Sequence, residues 1–596
     1  MRIKFILILF ILVWISLLVR IYYISIQSNN YYESLANSNT IKFEYIPPIR
    51  GEILDRHKQP LAINKLGFKL QVAPHLPRKN GDLDAELETI VLMIPSLDIK
   101  KLKKNYIKKD SPYNHHFIDV VDFISYEDAI PVYSKMNLNE NVKLLPAPKR
   151  YYPNKKLAAH IIGYVARANK KDVDKNAIAK LTGSTGKSGI EKYYNNFLQG
   201  EAGEREIKVS AYNQEMQELS YKAPKEHQQI TLALDLRLQK LIEELFKDKA
   251  GAVVVMDVHG EILAAGSYPE YDLNTFVSGI SVSRWSELIN DLDKPFTNKV
   301  VNGLYPPGST IKTGLGLAYV SSNKMSPWTK FTCEGTMTLG KNNRKFRCWK
   351  HRGHKETNLI KAIRQSCDIY FYKGSLRVGI AEMSRQLKNF GLGKKTGVDL
   401  PNEYFGTVPS REWKMNKYGK PWYIGETLNS SIGQGDFLTT PMQIAQFTSL
   451  MATGKIAKPH FVKNIGEQFF IPEYKEVLNA KQKKRLPLIQ RAMWEVCNHP
   501  KGTATHYLRS SKVKIAGKTG TAQVIGISQK TIKRLKEHEL AYLKRSHAWF
   551  TTYGPYKDPQ YIVTVLIEHG GHGGQAAGPM VSKIYNKLLE YGYIKK

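Results

Sequence analysis

The sequence predicts an α+β protein held at a membrane by one N-terminal helix. Three observations carry that reading. Phe5 to Ile26 is almost wholly apolar. Two apolar runs, Ala252–Asp257 and Glu261–Ala265, flank a His259-Gly260 turn and read as a β-hairpin. Three more strand-like runs, Val513–Ala522, Ala548–Tyr553 and Tyr561–Glu568, follow only after a long helix-and-loop stretch over 309–510. Strands, then helices, then strands again give a five-stranded antiparallel sheet flanked by helices.

The bulk numbers set outer bounds. A chain of 596 residues holds several domains, and 42% hydrophobic with 11% aromatic residues excludes global disorder. The formal charge of +35, from 88 basic and 53 acidic residues, favours anionic partners. No zinc-finger spacing or RNA-binding aromatic signature accompanies it, so nucleic acid is not expected. The lysines are spread along the whole chain, as in a lysine-rich proteome.

From the N-terminus, residues 1–4 form a short basic tail and 5–26 a transmembrane helix. As a helix that run is about 33 Å long, enough to cross a bilayer. Arg2 and Lys4 place the N-terminus in the cytoplasm by the positive-inside rule. Arg20 can snorkel beside Tyr22 and Tyr23. No small-residue cleavage site follows, so the helix reads as an uncleaved anchor. The chain leaves the membrane through polar Gln27-Ser28-Asn29-Asn30 and a Pro47-Pro48 breaker.

The charges of Arg50-Gly51-Glu52-Ile53-Leu54-Asp55-Arg56 read as a solvated turn. Residues 75–145 mix loops with amphipathic helical pieces, Leu83–Ile94 and Tyr126–Met136, and carry no chemistry. His160 sits on an apolar face and reads as structural. Thr182 to Ser188 imitates a phosphate-binding loop, but Leu181 stands where the first glycine is required. A boundary falls near 230, and Asp235 opens an amphipathic helix. Glu568-His569-Gly570-Gly571-His572-Gly573-Gly574 reads as a flexible strand-to-helix turn near a cleft, and Met580–Tyr591 as the last helix.

Chemistry concentrates at Tyr305-Pro306-Pro307-Gly308-Ser309-Thr310-Ile311-Lys312. A serine after a turn is ordinarily a helix cap. Lys312, however, shares a face with Ser309 one turn away and can act as its base. Ser366-Cys367-Asp368 and Lys518-Thr519-Gly520-Thr521 follow in order. The trio Ser-x-x-Lys, Ser-x-Asn/Asp and Lys-Thr-Gly resembles the penicillin-recognising serine transferases. The N-terminal half resembles class B penicillin-binding proteins of the elongation type. Arg50–Arg56, Arg150-Tyr151-Tyr152-Pro153, His160–Val165 and Gly189-Ile190-Glu191-Lys192-Tyr193-Tyr194 match their pedestal motifs. The resemblance covers nearly the whole chain. It implies an elongated pedestal with a mobile head over 27–230 and a transpeptidase domain over 231–596.

That resemblance implies a serine-type D-Ala-D-Ala transpeptidase or carboxypeptidase of the inner membrane, with its bulk periplasmic. Ser309 would be the nucleophile and Lys312 its base, with Ser366 passing a proton. Asp368 stands where the commoner residue is Asn. Lys518 would add positive charge, and Thr519 and Thr521 would bind the substrate carboxylate. Gly520 would let the strand lie close to the ligand. The N–H groups of Ser309 and Thr521 would hold developing negative charge. Ser430 to Gly435 resembles a loop beside the cleft. Implied partners are stem peptides ending in D-Ala-D-Ala, β-lactams, a SEDS-family glycan polymerase and elongation scaffold membrane proteins. The basic charge would also attract a pyrophosphate-linked wall precursor.

The four cysteines are Cys333, Cys348, Cys367 and Cys497. Cys333, Cys348 and Cys367 with His354 suit a structural Cys3His zinc site, and His351 is a weaker ligand. A Cys333–Cys348 disulfide is the alternative. Zinc bound here would fix the Ser366 loop without entering the chemistry. Competing functions remain distinct. A division-type enzyme favours Ser-x-Asn and lacks the Cys/His cluster. A scaffold that activates a polymerase needs no acylation. A β-lactamase needs no pedestal.

Overall fold

The computed structural model describes residues 2–27, 40–77, 82–114, 116–209, 215–225, 229–340, 343–525 and 535–595. The polar exit at Ser28-Asn29-Asn30 lies outside them. Two compact units emerge: Met1–Gly51 with Ala168–Ser184 and Gln199–His227, and Glu52–Arg167 with Thr185–Leu198 and Gln228–Lys596.

In the first unit, the helix Arg2–Tyr22 continues as a wider π-type turn over Tyr23–Gln27. Its apolar side chains are exposed, as a membrane-spanning helix requires. An antiparallel sheet follows in the order Ile41–Ile46, Gly203–Val209, Glu215–Lys222.

The second unit is built on the expected sheet. Its strand order is Ile262–Tyr268, Gly251–Asp257, Tyr561–Ile567, His547–Gly554, Ala516–Ala522, all antiparallel. Adjacent residues show that both faces are covered. Thr551 Oγ1 meets Thr448 Oγ1 of the helix Pro441–Thr453 at 2.7 Å. Thr552 Oγ1 donates at 3.3 Å to the Tyr585 hydroxyl of the helix Gly573–Glu590. Side chains alternate along a strand, so these helices lie on opposite faces. The strands are buried almost throughout, which is why they read as continuous apolar runs.

Two boundaries differ from the sequence reading. The strand before Lys518 starts at Ala516, because Val513 and Ile515 are buried in a lead-in segment without ladder pairing. The last helix starts at Gly573, not Met580, and carries Pro579 inside it. A Cβ on Gly573 would strike the carbonyls of Gly520 and Trp549. Packing against the sheet therefore makes a first helical turn from residues with poor helix propensity.

A second sheet crosses residue 230. It joins Lys149–Tyr151, Pro60–Lys65, Ile53–Leu54, Ile230–Leu232, Val462–Ile465 and Gln468–Phe469 in that order. The charges of 52–56 do not form a solvated turn. Asp55 is buried and accepts the backbone N–H groups of His57 and Gln59, both at 2.8 Å, and of Leu236 at 3.2 Å. Arg56 pairs with Glu261 at 3.0 Å and covers the Tyr593 ring. Glu191 is fully buried against Arg150 at 2.7 Å and the Tyr152 hydroxyl at 3.0 Å. His160 is buried with Nε2 2.6 Å from the Pro295 carbonyl, and burial holds its pKa down at about 4.

The region without chemistry has its own small core. Ile118–Ser125, Gly67–Val72 and Val142–Pro146 form a sheet, backed by the helices Asp82–Met93 and Ile99–Lys109. The expected helix over 126–136 is three short turns, divided at Pro131.

Candidate active site

Ser309 sits in a 3-10 turn, Gly308–Ile311, that runs directly into the helix Lys312–Ser321. The turn is braced on three sides. Thr310 Oγ1 donates to the Pro307 carbonyl at 2.8 Å, Gly308 N–H donates to the Gly433 carbonyl at 2.9 Å, and the strand Ala516–Ala522 lies alongside. Gly433 has φ +70°, and a Cβ there would strike the Gly308 carbonyl, which fixes glycine in the Ser430–Gly435 loop. Gly520 faces this turn: a Cβ would come within 3.0 Å of Thr310 Cγ2 and 3.1 Å of the Pro307 carbonyl. Its smallness therefore serves packing of the Ser309 turn on the strand.

Lys312 is fully buried. Its Nζ donates to Asp368 Oδ1 at 2.6 Å, to the Ser366 carbonyl at 3.1 Å and to Ser366 Oγ at 3.4 Å. Lys518 Nζ reaches the same Ser366 Oγ at 3.0 Å and the Thr519 carbonyl at 2.8 Å. One hydroxyl thus bridges two lysine amines from distant parts of the chain. Ser366 holds φ +52°, an uncommon backbone state for serine that turns the loop onto the lysines. Burial and then the Lys312 charge push the Lys518 ammonium well below the ordinary lysine range. Burial raises the Asp368 carboxyl, and Lys312 opposes that rise. The arrangement gathers two buried lysine amines on one serine hydroxyl next to the Ser309 turn, the kind of setting in which protons can be passed between hydroxyl and amine groups.

Asp368 also explains what its carboxylate does in place of an amide. Oδ2 accepts the Trp349 backbone N–H at 3.0 Å, while the Trp349 indole donates to the Gln365 carbonyl at 2.9 Å. Trp349 follows Cys348, so the cysteine loop is tied to the Ser366 motif from both ends. Sequence reading missed Trp349, and also Thr503, whose hydroxyl is 2.8 Å from that of Thr519. It identified the loop of Gln434 but not its contact, an Nε2 donating to the Thr521 carbonyl at 3.2 Å. Neither Trp349 nor Thr503 has a motif spacing that points to the cleft.

Cys333, Cys348, Cys367 and His354 converge, all buried, with their donor atoms within 4.8 Å of one another. No disulfide joins them. His354 Nδ1 is 3.6 Å from Cys333 Sγ and 3.5 Å from Cys348 Sγ. A tetrahedral zinc with bonds of about 2.3 Å to sulfur and 2.0 Å to nitrogen gives edges of about 3.5 Å, so the donor set fits that ion. His351 is exposed and lies outside the cluster; Cys497 also lies outside it but is buried. The histidines at 569 and 572 join no convergent donor set among the described residues.

Comparison with known proteins agrees with this geometry. A penicillin binding protein transpeptidase domain matches residues 251–589, and a penicillin-binding protein dimerisation domain matches 45–232. A peptidoglycan D,D-transpeptidase MrdA of Haemophilus influenzae is 34% identical, covering 96% of this chain and 89% of its own. The penicillin-binding protein 2 solved in complex with MreC from Helicobacter pylori is 43% identical, with TM-score 0.85 over 93% of this chain and 99% of its own. A chain from a peptidoglycan synthase complex, described as coordinating polymerization and crosslinking, is 27% identical, with TM-score 0.72 over 100% of this chain and 99% of its own. With both domains matched in order and the Ser309, Ser366 and Lys518 segments gathered at one buried point, the chain belongs to the class B penicillin-binding proteins, on the branch of penicillin-binding protein 2.

Proposed function

We propose that this protein is a peptidoglycan D,D-transpeptidase of cell elongation, acylated on Ser309. The observation that carries the proposal is the convergence of Lys312 and Lys518 on the Ser366 hydroxyl beside the Ser309 turn. In the reaction, the neutral amine form of Lys312 takes the Ser309 proton as Oγ attacks the carbonyl carbon of the penultimate D-alanine. A C–O ester bond forms, and the peptide C–N bond to the terminal D-alanine breaks. The proton passes through Ser366 to the leaving amine. An acceptor amine, by analogy the side-chain amine of diaminopimelate, then attacks the ester. A C–N bond forms, the C–O bond breaks, and Ser309 regains a proton. The N–H groups of Ser309 and Thr521 hold the charge on the carbonyl oxygen, and Lys518, Thr519 and Thr521 receive the substrate carboxylate.

The direct test is the intact mass of the protein with and without a β-lactam, followed by peptide mapping. One full β-lactam mass on Ser309 is expected. No adduct on folded protein moves the reading to a scaffold that activates a polymerase.

Zinc is part of the same proposal, with Cys333, Cys348, Cys367 and His354 as its ligands. Bound there it would crosslink the 333–354 loop to the Ser366 segment and take no part in the chemistry. Metal analysis of purified protein should find one zinc per chain, lost with Cys348→Ser. Metal-free protein with a mapped Cys333–Cys348 bond would refute it. The N-terminal helix Ile3–Gln27 is long and apolar enough to span a bilayer, and Lys4 favours a cytoplasmic N-terminus with the catalytic part across the inner membrane. The likeness to chains solved with MreC and within a synthase complex supports a membrane scaffold and a SEDS-family glycan polymerase as partners.

A further inference from the structure

Glu568 follows the strand Tyr561–Ile567, and its carboxylate is held between two groups that the chemistry above does not use. Oε2 is 3.1 Å from Lys299 Nζ, and Oε1 accepts from the Tyr305 hydroxyl at 2.6 Å. Lys299 is buried. Its Nζ also donates to the carbonyls of Tyr268 and Asp293, each at 2.6 Å, so all three ammonium protons have acceptors. A buried ammonium with every proton accepted, paired with a mostly covered carboxylate, is a rigid mount.

Tyr305 lies four residues before Ser309. Its backbone exchanges hydrogen bonds with Thr439, at 3.0 and 2.9 Å, and its ring packs edge-on against His547 and Trp549. The Trp549 indole donates to the Pro306 carbonyl at 3.0 Å. Gly303 leaves room for this ring, since a Cβ there would strike it. Between Tyr305 and the nucleophile stand Pro306 and Pro307, each with φ fixed by its ring. A shift of Tyr305 is therefore carried into Gly308 and Ser309, not absorbed on the way.

We propose that Tyr305 and Glu568 are positioning residues: the Lys299-held carboxylate fixes the Tyr305 hydroxyl and, through the stiff Pro-Pro link, sets where the Ser309 hydroxyl and N–H stand. This rests on the reading of Ser309 as nucleophile. A reacting atom misplaced by about 1 Å can cost on the order of 100-fold in rate.

The test uses the full-length protein and a fluorescent penicillin, measuring the first-complex dissociation constant and the limiting acylation rate separately. Tyr305→Phe should lower the limiting rate about 10- to 100-fold and leave the first complex within about twofold. Glu568→Gln still accepts from Tyr305 and should lose less. The double variant should be no slower than Tyr305→Phe alone, since both act on one link. A Tyr305→Phe protein that acylates within about twofold of wild type overturns the proposal. So does one whose rate loss is matched by weaker first binding. If Glu568→Gln does not fold, Tyr305→Phe decides alone. Wild-type protein that takes no label on Ser309 would sink the functional reading and this one with it.

Discussion

Ser309→Ala should leave the protein folded and take away β-lactam labelling altogether. The hydroxyl has no large structural role to lose. Ser309 is half-buried in a turn held by Thr310, Gly308 and Gly433, not by its own side chain. Removing a nucleophile that acts as a unit with its base costs on the order of 10⁶-fold in turnover. Cross-linking of stem peptides should vanish with it, while the melting temperature stays within a degree or two of wild type, as for a substitution worth about 0.5 kcal/mol. Any stoichiometric adduct that persists on the alanine variant would mean another nucleophile, and the assignment of Ser309 would be wrong.

Asp368→Ala should be the most destabilising single change in the site. It strips the partner from Lys312, whose ammonium is fully buried, and orphans the Trp349 N–H. Breaking a buried ion pair from one side costs about 3–5 kcal/mol, because the remaining charge stays out of water. In a domain of this size that is a drop of roughly 6–10 °C in melting temperature. Asp368→Asn keeps an acceptor for Lys312 and should lose markedly less. Equal stability of the alanine and asparagine variants, measured by calorimetry, would show that Lys312 does not depend on this carboxylate.

The parts legible in the sequence were those written in local pattern. The hairpin at 251–268 and the two closing strands are runs of apolar residues long enough to exclude other structures. The nucleophile motif was legible because its two residues are one helical turn apart. The cysteine cluster was legible because three thiols and an imidazole fall within 35 positions, from Cys333 to Cys367. Short ribbons such as Thr336–Leu339 with Arg344–Arg347 were not, since two four-residue strands leave no periodicity to read.

Other features depend on residues the chain brings together from far apart. Sequence offers Lys312 to Ser309, yet the fold commits its ammonium to Asp368 and Ser366, more than fifty positions on. Lys518 becomes a perturbed amine only once burial removes its water and Lys312 comes near. Asp55 and Arg56 look solvated until Leu236 and Glu261 arrive to pair with them. Glu568 was read within a flexible turn and is instead a half-buried link between Lys299 and Tyr305. By itself, then, the sequence determined the long apolar N-terminal helix, the sheet, the Ser309-x-x-Lys312 motif proposed to carry the nucleophile, and the Cys3His donor set. Tertiary structure decided which charges are paired, which are desolvated and what braces the Ser309 turn. Pairing and desolvation depend on distances between residues hundreds of positions apart, and no local pattern encodes those distances.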